Sequence, residues 1–220
     1  MVQIEAGGEQ LVLLAERCIW WPAQRTLLVA DAHIGKAASF RRMGVPVPRG
    51  STSETLSRLS VLIERHAAEH VIFLGDFLHS RHAHAAATQG AAARWRARHP
   101  RLELTLVRGN HDDRAGDPPT ALGITCVDEP WRVGGLALCH HPQAVTGAYA
   151  LAGHLHPCTR VGRGFDRLRL ACFHLGAHCG VLPAFGAFTG MHPIEPATGD
   201  RVYVVAEDRV AALASLNCAP

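Results

Sequence analysis

Five short apolar runs, each closing on side chains that bind cations, constrain this chain more than any other feature. The run over 26–31 ends in Asp31-Ala32-His33, and that over 70–76 ends in Gly75-Asp76. The run over 102–108 leads into Gly109-Asn110-His111-Asp112. Those over 136–139 and 149–152 lead into His140-His141 and Gly153-His154-Leu155-His156. Continuous apolar stretches of this length read as strands buried on both faces. Between the first three lie two helical segments. Residues 51–67 open on Ser/Thr/Ser and a Glu, then place Leu56, Leu59, Leu62 and Ile63 at helical spacing. Residues 83–98 are rich in alanine and arginine. The β-α-β-α-β series predicts a parallel sheet with helices on it, and sites in such sheets gather beyond the carboxyl ends of the strands.

After residue 120 the helical period disappears. ITCVD, WRVGG, LALCHH, YALAGH, LACFHLG, VYVVAE and VAALAS read as strands joined by short turns, a second β-rich layer packed on the first. Gly and Pro cluster at 115–119 and 183–199, read as surface loops. No linker is visible, so residues 1–220 are expected to form a single domain.

Composition excludes several classes. With 48% hydrophobic and 19% charged residues the chain has ample core and is not globally disordered. No apolar run approaches the ~20 residues of a membrane helix, so no membrane partner is expected. MVQIEAGGEQ lacks a basic segment leading into an apolar one, and a cytoplasmic location is the expectation. Seven cysteines, an odd number with no Cys-x-x-Cys pair, argue against a disulfide framework or a zinc knuckle. Of the 22 basic residues only Lys36 is lysine, and the net charge is +3. An anionic substrate must then be gripped locally, not by bulk charge.

Asp and Asn offer hard oxygen donors and His offers nitrogen, a mixture suited to manganese, iron or zinc. In an extended chain Asp31 and His33 would project to one side, as would His154 and His156, with Ala32 and Leu155 turned away. Gly75, Gly109 and Gly153 would permit sharp turns after the strands.

The ordered set Asp31-x-His33, Gly75-Asp76, Gly109-Asn110-His111-Asp112, His140 and Gly153-His154-x-His156 resembles the calcineurin-like metallophosphoesterases over about residues 26–160. Within that superfamily, DAHIGKAASFRRMGVPVPRG (31–50), GDFLHS (75–80) and CHHP (139–142) are similar to the bacterial ligase-associated DNA damage response endonucleases. The resemblance implies a four-layer αββα sandwich, two mixed β-sheets flanked by helices. It implies two divalent metal ions, manganese foremost, with zinc or iron as alternatives. Asp31, His33, Asp76 and His156 would hold the first ion. Asp76 would bridge to the second, completed by Asn110, His140 and His154. Of the adjacent His140 and His141, the family position is taken as His140.

The chemistry implied is in-line attack on phosphorus by a metal-activated water, with His111 assisting the leaving oxygen and Asp112 a candidate to orient it. Lys36, Arg41, Arg42 and Arg49 in segment 34–50 are read as a lip on the flanking phosphates. His79 is a further candidate substrate contact, and Arg160, Arg163, Arg167 and Arg169 a second wall. His82 is left between roles, and His84 is read as structural. The substrate implied is DNA, cut by an endonuclease of repair, with a helicase and a DNA ligase as functional partners. A small-molecule phosphoesterase, acting on a nucleotide, a cyclic nucleotide or a lipid-linked pyrophosphate, is the alternative.

Overall fold

A computed structural model describes residues 1–47, 50–80, 85–162 and 167–213. Arg49, His82, His84 and Arg163 lie outside the described residues. The first sheet runs β1 (Val2–Ala6), β2 (Glu9–Leu13), β3 (Ile19–Trp21), β4 (Thr26–Ala30), β5 (His70–Leu74), β6 (Glu103–Val107) and β7 (Thr125–Val127) in that spatial order. β4 to β7 are parallel, as expected, and β1 to β4 form an antiparallel meander. The sequence reading lacks that meander, although Gly7-Gly8 between the alternating runs VQIEA and EQLVL is a hairpin signal.

Among the described residues, four α-helices lie between β4 and β7: α1 (Lys36–Arg42), α2 (Ser51–His66), α3 (Ala86–Arg98) and α4 (Asn110–Ala115). The α2 stripe Leu56, Leu59, Leu62 and Ile63 and Trp95 of α3 pack with Leu27, Val29, Val71 and Phe73 on one face of the sheet. The segment read as an open lip after β4 is in part the helix α1.

The second sheet comprises β8 (Trp131–Val133), β9 (Leu136–Leu138), β10 (Tyr149–Ala152), β11 (Pro157–Val161), β12 (Leu168–Leu175), β13 (Cys179–Val181), β14 (His192–Pro193), β15 (Arg201–Ala206) and β16 (Arg209–Ala212). Leu28, Ile72, Leu138, Leu151, Phe173 and Val205 interleave between the two sheets in a common core. These are the two mixed sheets with helices that the sequence predicts. On that sheet Cys172, Val202 and Val204 form a separate cluster with Leu213 packed against it, and Cys139, Ala150 and Ala152 form another.

Register positions the site. Ala30, Leu74, Val107 and Val127 are neighbours across β4 to β7, so the parallel strands end flush. β9 and β10 are also parallel, with Leu138 beside Leu151. The polar residues that follow these strands therefore emerge on one rim.

Candidate metal centre

Sharp backbone turns aim the candidate ligands. Asp31, His33, Asp76, His154 and His156 all have left-handed φ, between 46° and 69°. Asp31-x-His33 and His154-x-His156 are thus not extended, which corrects the alternation argument. For a non-glycine residue this conformation costs roughly 1–2 kcal/mol. It persists because the surroundings fix it: His33 N–H donates to the Asp76 carbonyl at 2.8 Å, and Gly186 N–H to the Asp31 carbonyl at 3.1 Å.

The left-handed turns fall on the ligands, and only one of the three glycines shares them. Gly75 has φ +75°, whereas Gly109 and Gly153 are wanted for close approach. A Cβ on Gly109 would stand 2.5 Å from Asp76 Oδ1, and one on Gly153 2.6 Å from Asp31 Oδ2.

The donors gather in two adjoining clusters. In the first, His156 Nε2 is 3.2 Å from His33 Nε2 and 3.4 Å from Asp31 Oδ1. Asp76 Oδ2 stands 3.8 Å from His33 Nε2. In the second, His140 Nε2 is 3.0 Å from Asn110 Oδ1, 3.1 Å from His154 Nδ1 and 3.4 Å from Asp76 Oδ1. Asp76 thus faces one cluster with each oxygen. Its Oδ1 also accepts the His111 N–H at 2.9 Å, and Asp31 Oδ2 accepts the His154 N–H at 2.9 Å.

This geometry fits divalent cations. His140 donates Nδ1–H to the Leu74 carbonyl, and His156 donates Nδ1–H to the Gly190 carbonyl. Each neutral ring then turns the Nε2 lone pair toward other lone pairs. Asp31 Oδ1 is buried and has no hydrogen-bond partner among the described residues. Acceptors facing acceptors in a buried site call for a positive charge between them. Burial lowers the pKa of His33 and His154, which keeps their lone pairs free.

His111 stands beside the clusters, 31% exposed, with Nε2 4.0 Å from Asp76 Oδ2. Its Nδ1–H donates to the His79 carbonyl at 2.6 Å. Asp112 does not orient it, contrary to expectation. The Asp112 carboxylate is buried and accepts the N–H groups of Phe77, Leu78 and Gly109. Burial pushes its pKa up to about 7 despite those bonds. The His79 ring stacks on His111 at 4.9 Å, and burial together with Lys36 brings its pKa down to about 4.

Lys36 begins α1 beside the rim. Burial lowers its pKa, while the charges of Asp31 and Asp76 act in the opposite sense. Arg41 Nη1 donates to the Val47 carbonyl, stapling the turn after α1, and Arg42 is exposed. Arg160, Arg167 and Arg169 are exposed, and Arg160 lies directly across from Arg169 in the β11–β12 pair.

The calcineurin-like phosphoesterase family matches residues 24–176, the span that carries every one of these donors. The chain is a calcineurin-like phosphoesterase. It hydrolyses phosphoester bonds, and its fold provides for divalent cations. Among solved structures, a nuclease from Pseudomonas putida, MPE, is 49% identical to this phosphoesterase with a TM-score of 0.84. The likeness covers 96% of this chain and 99% of that one. Yfce, a phosphoesterase from E. coli, is 13% identical with a TM-score of 0.40, covering 86% of this chain and 98% of that one. No curated protein matches the chain.

Several residues that shape the phosphoesterase site escaped the sequence reading. Glu129, the Gly190 carbonyl and the strut 185–187 carry no motif signal, because each acts through backbone groups distant in sequence.

Proposed function

We propose that this phosphoesterase is a metal-dependent DNA phosphodiesterase, an endonuclease that works with manganese. The observation that carries the reading is the convergence of two donor clusters on Asp76, with His111 beside them and its ring held through Nδ1. The 49% identity with a nuclease over nearly the whole of both chains supports nucleic acid as substrate. Asp31, His33, Asp76 and His156 would hold one cation, and Asp76, Asn110, His140 and His154 the other. Bound there, a cation pair supplies Lewis acidity and a nucleophilic water at neutral pH.

The chain's own residues do the rest. His111, its ring fixed by the His79 carbonyl, presents Nε2 to the scissile phosphate and, when the ring is protonated, donates the Nε2 proton to the leaving oxygen. Lys36 places positive charge at the same rim. The cross-strand pair Arg160 and Arg169 sets like charges side by side, an arrangement that a phosphate backbone between them relieves. Such contacts read no sequence, so binding weakens with salt. The thiols of Cys18, Cys126, Cys139, Cys158, Cys172 and Cys179 are free, in keeping with a cytoplasmic setting. The helicase and DNA ligase partners rest on the family resemblance alone.

The test is plasmid nicking by purified protein in manganese, zinc and magnesium. Nicking is expected in manganese, and His111→Ala should lose about 100-fold or more with metal content unchanged. Failure to cut any phosphodiester with any of the three metals would overturn the reading. Faster turnover of a simple phosphomonoester than of DNA would favour the small-molecule alternative.

A further inference from the structure

Glu129, in the turn between β7 and β8, spends its whole carboxylate on the corner that carries the second donor cluster. Its Oε2 accepts the peptide N–H of His140 at 2.6 Å and of His141 at 2.9 Å. Its Oε1 accepts Nδ1–H of the His141 ring at 2.6 Å.

A carboxylate on Nδ1–H leaves the lone pair of a neutral imidazole on Nε2 and locks the ring plane. That is how metal-binding histidines are prepared. His140 and His156 show the same arrangement with carbonyls in place of the carboxylate. The His141 ring lies 4.5 Å from His154 and 4.7 Å from His140, centroid to centroid. Donor atoms of His140, His141 and His154 all lie within 4.8 Å of one another. His111 joins no such group among the described residues. The His141 side chain is 45% exposed, so it flanks the buried His140 on the solvent side.

We propose that His141 is a further protein ligand of the second cation position, aimed there by Glu129. The inference rests on the metal-centre reading and not on which phosphodiester is cut. It adds a third imidazole to that position and gives Glu129 a function that no motif assigns. The second cation would then be held by donors from two adjacent histidines, one buried and fixed, one exposed and tethered.

The experiment uses the full chain stripped of metal with a chelator and titrated with cobalt(II). Calorimetry reads the affinity of each equivalent, and visible absorption reads the coordination number. His141→Ala is expected to weaken the second equivalent by about 10- to 100-fold, leave the first unchanged and alter the absorption of the second. His141→Gln keeps a donor for Glu129 without the imidazole and should behave like His141→Ala. Glu129→Gln should weaken the same equivalent by less. Circular dichroism of the metal-free proteins checks the fold, and His141→Gln carries the test if His141→Ala does not fold. A second equivalent with wild-type affinity and absorption in both His141 variants overturns the proposal. So does wild-type behaviour of His141→Gln beside a weakened His141→Ala, because the role would then be structural. An effect confined to the KM for DNA, with metal binding unmoved, also overturns it and makes His141 a substrate contact. The metal-binding readouts do not depend on cleavage, so failure of the DNA reading is seen separately.

Discussion

Gly75 is held to glycine by two independent demands. Its φ is +75°, and a Cβ there would fall inside the His140 imidazole. Gly75→Ala therefore adds strain of about 1–2 kcal/mol and displaces a ring that faces Asn110, His154 and Asp76. The expected outcome is a lower urea midpoint and an affinity for the second metal equivalent reduced tenfold or more, on the order of a lost ligand. Wild-type affinity would mean that His140 is not where the ion sits. Asp112 presents a different case, because its carboxylate is spent on three backbone N–H groups. In Asp112→Asn one acceptor oxygen becomes an NH2 group that meets N–H donors, which costs about 2–3 kcal/mol of stability. Because the folded pKa is raised from 3.8 to about 7, this carboxyl takes up a proton on folding. Its contribution is whole below about pH 4 and is lost as pH rises through about 7. Urea unfolding of the metal-free variant across that window should show the slope flattened. An unchanged slope would remove Asp112 as its source.

The segment after β13 shows how an element without regular structure can carry a site. Residues 183–199 read as a surface loop from their glycines and prolines, yet Phe185 is fully buried. Phe185 N–H donates to the Ala30 carbonyl, Gly186 N–H to the Asp31 carbonyl, and Ala187 N–H to Thr55 Oγ1. Farther along, the Gly190 carbonyl orients His156. Arg58 of α2 clamps this strut: its guanidinium donates to the Phe185 carbonyl and lies 4.2 Å over the Phe185 ring. Removing that clamp should reach the metal site through Asp31, although Arg58 touches no candidate ligand in the contacts described. Arg58→Ala is expected to cost about 1–3 kcal/mol in urea unfolding and to weaken the first metal equivalent more than the second. Equal weakening of both equivalents would mean general loosening, not coupling through Asp31. Here lies the boundary of what the chain spelled out. The strands that carry the donors, and the donors at their ends, were legible, because each is a local pattern of apolar run and polar stop. The left-handed turns at Asp31, His33, Asp76, His154 and His156 were not, because hydrogen bonds between distant segments impose them. Glu129 was invisible for the same reason: its partners lie 11 and 12 residues away and two of them are backbone groups.

At the scale of the molecule, the two sheets share a core and bring their strand ends to one rim, so folding and donor assembly are one event. The metal-free state then carries imidazoles that burial makes harder to protonate. His33, His66, His70, His79, His99 and His154 all have pKa values lowered by burial in the folded chain. For such groups the unfolded chain binds more protons. The stability they contribute is whole above about 6.5, the ordinary value, and is lost as pH falls, for His79 through about 4. Asp112 works in the opposite direction over much of that window, so the net loss on acidification is what remains after it. The urea midpoint of the metal-free protein is therefore expected to be lower at pH 5 than at pH 7.5. Metal adds a further contribution, because the ion binds donors assembled in the folded chain and not in the unfolded one. At a free manganese concentration about 100 times its Kd, one site contributes about 2.7 kcal/mol. For a chain of this size that raises Tm by roughly 5–10 °C. His33→Ala should reduce that increment at pH 7.5, as thermal unfolding with and without manganese would show. An increment in His33→Ala equal to that of the wild type would mean that His33 does not hold the ion, and the first donor cluster would have to be reassigned.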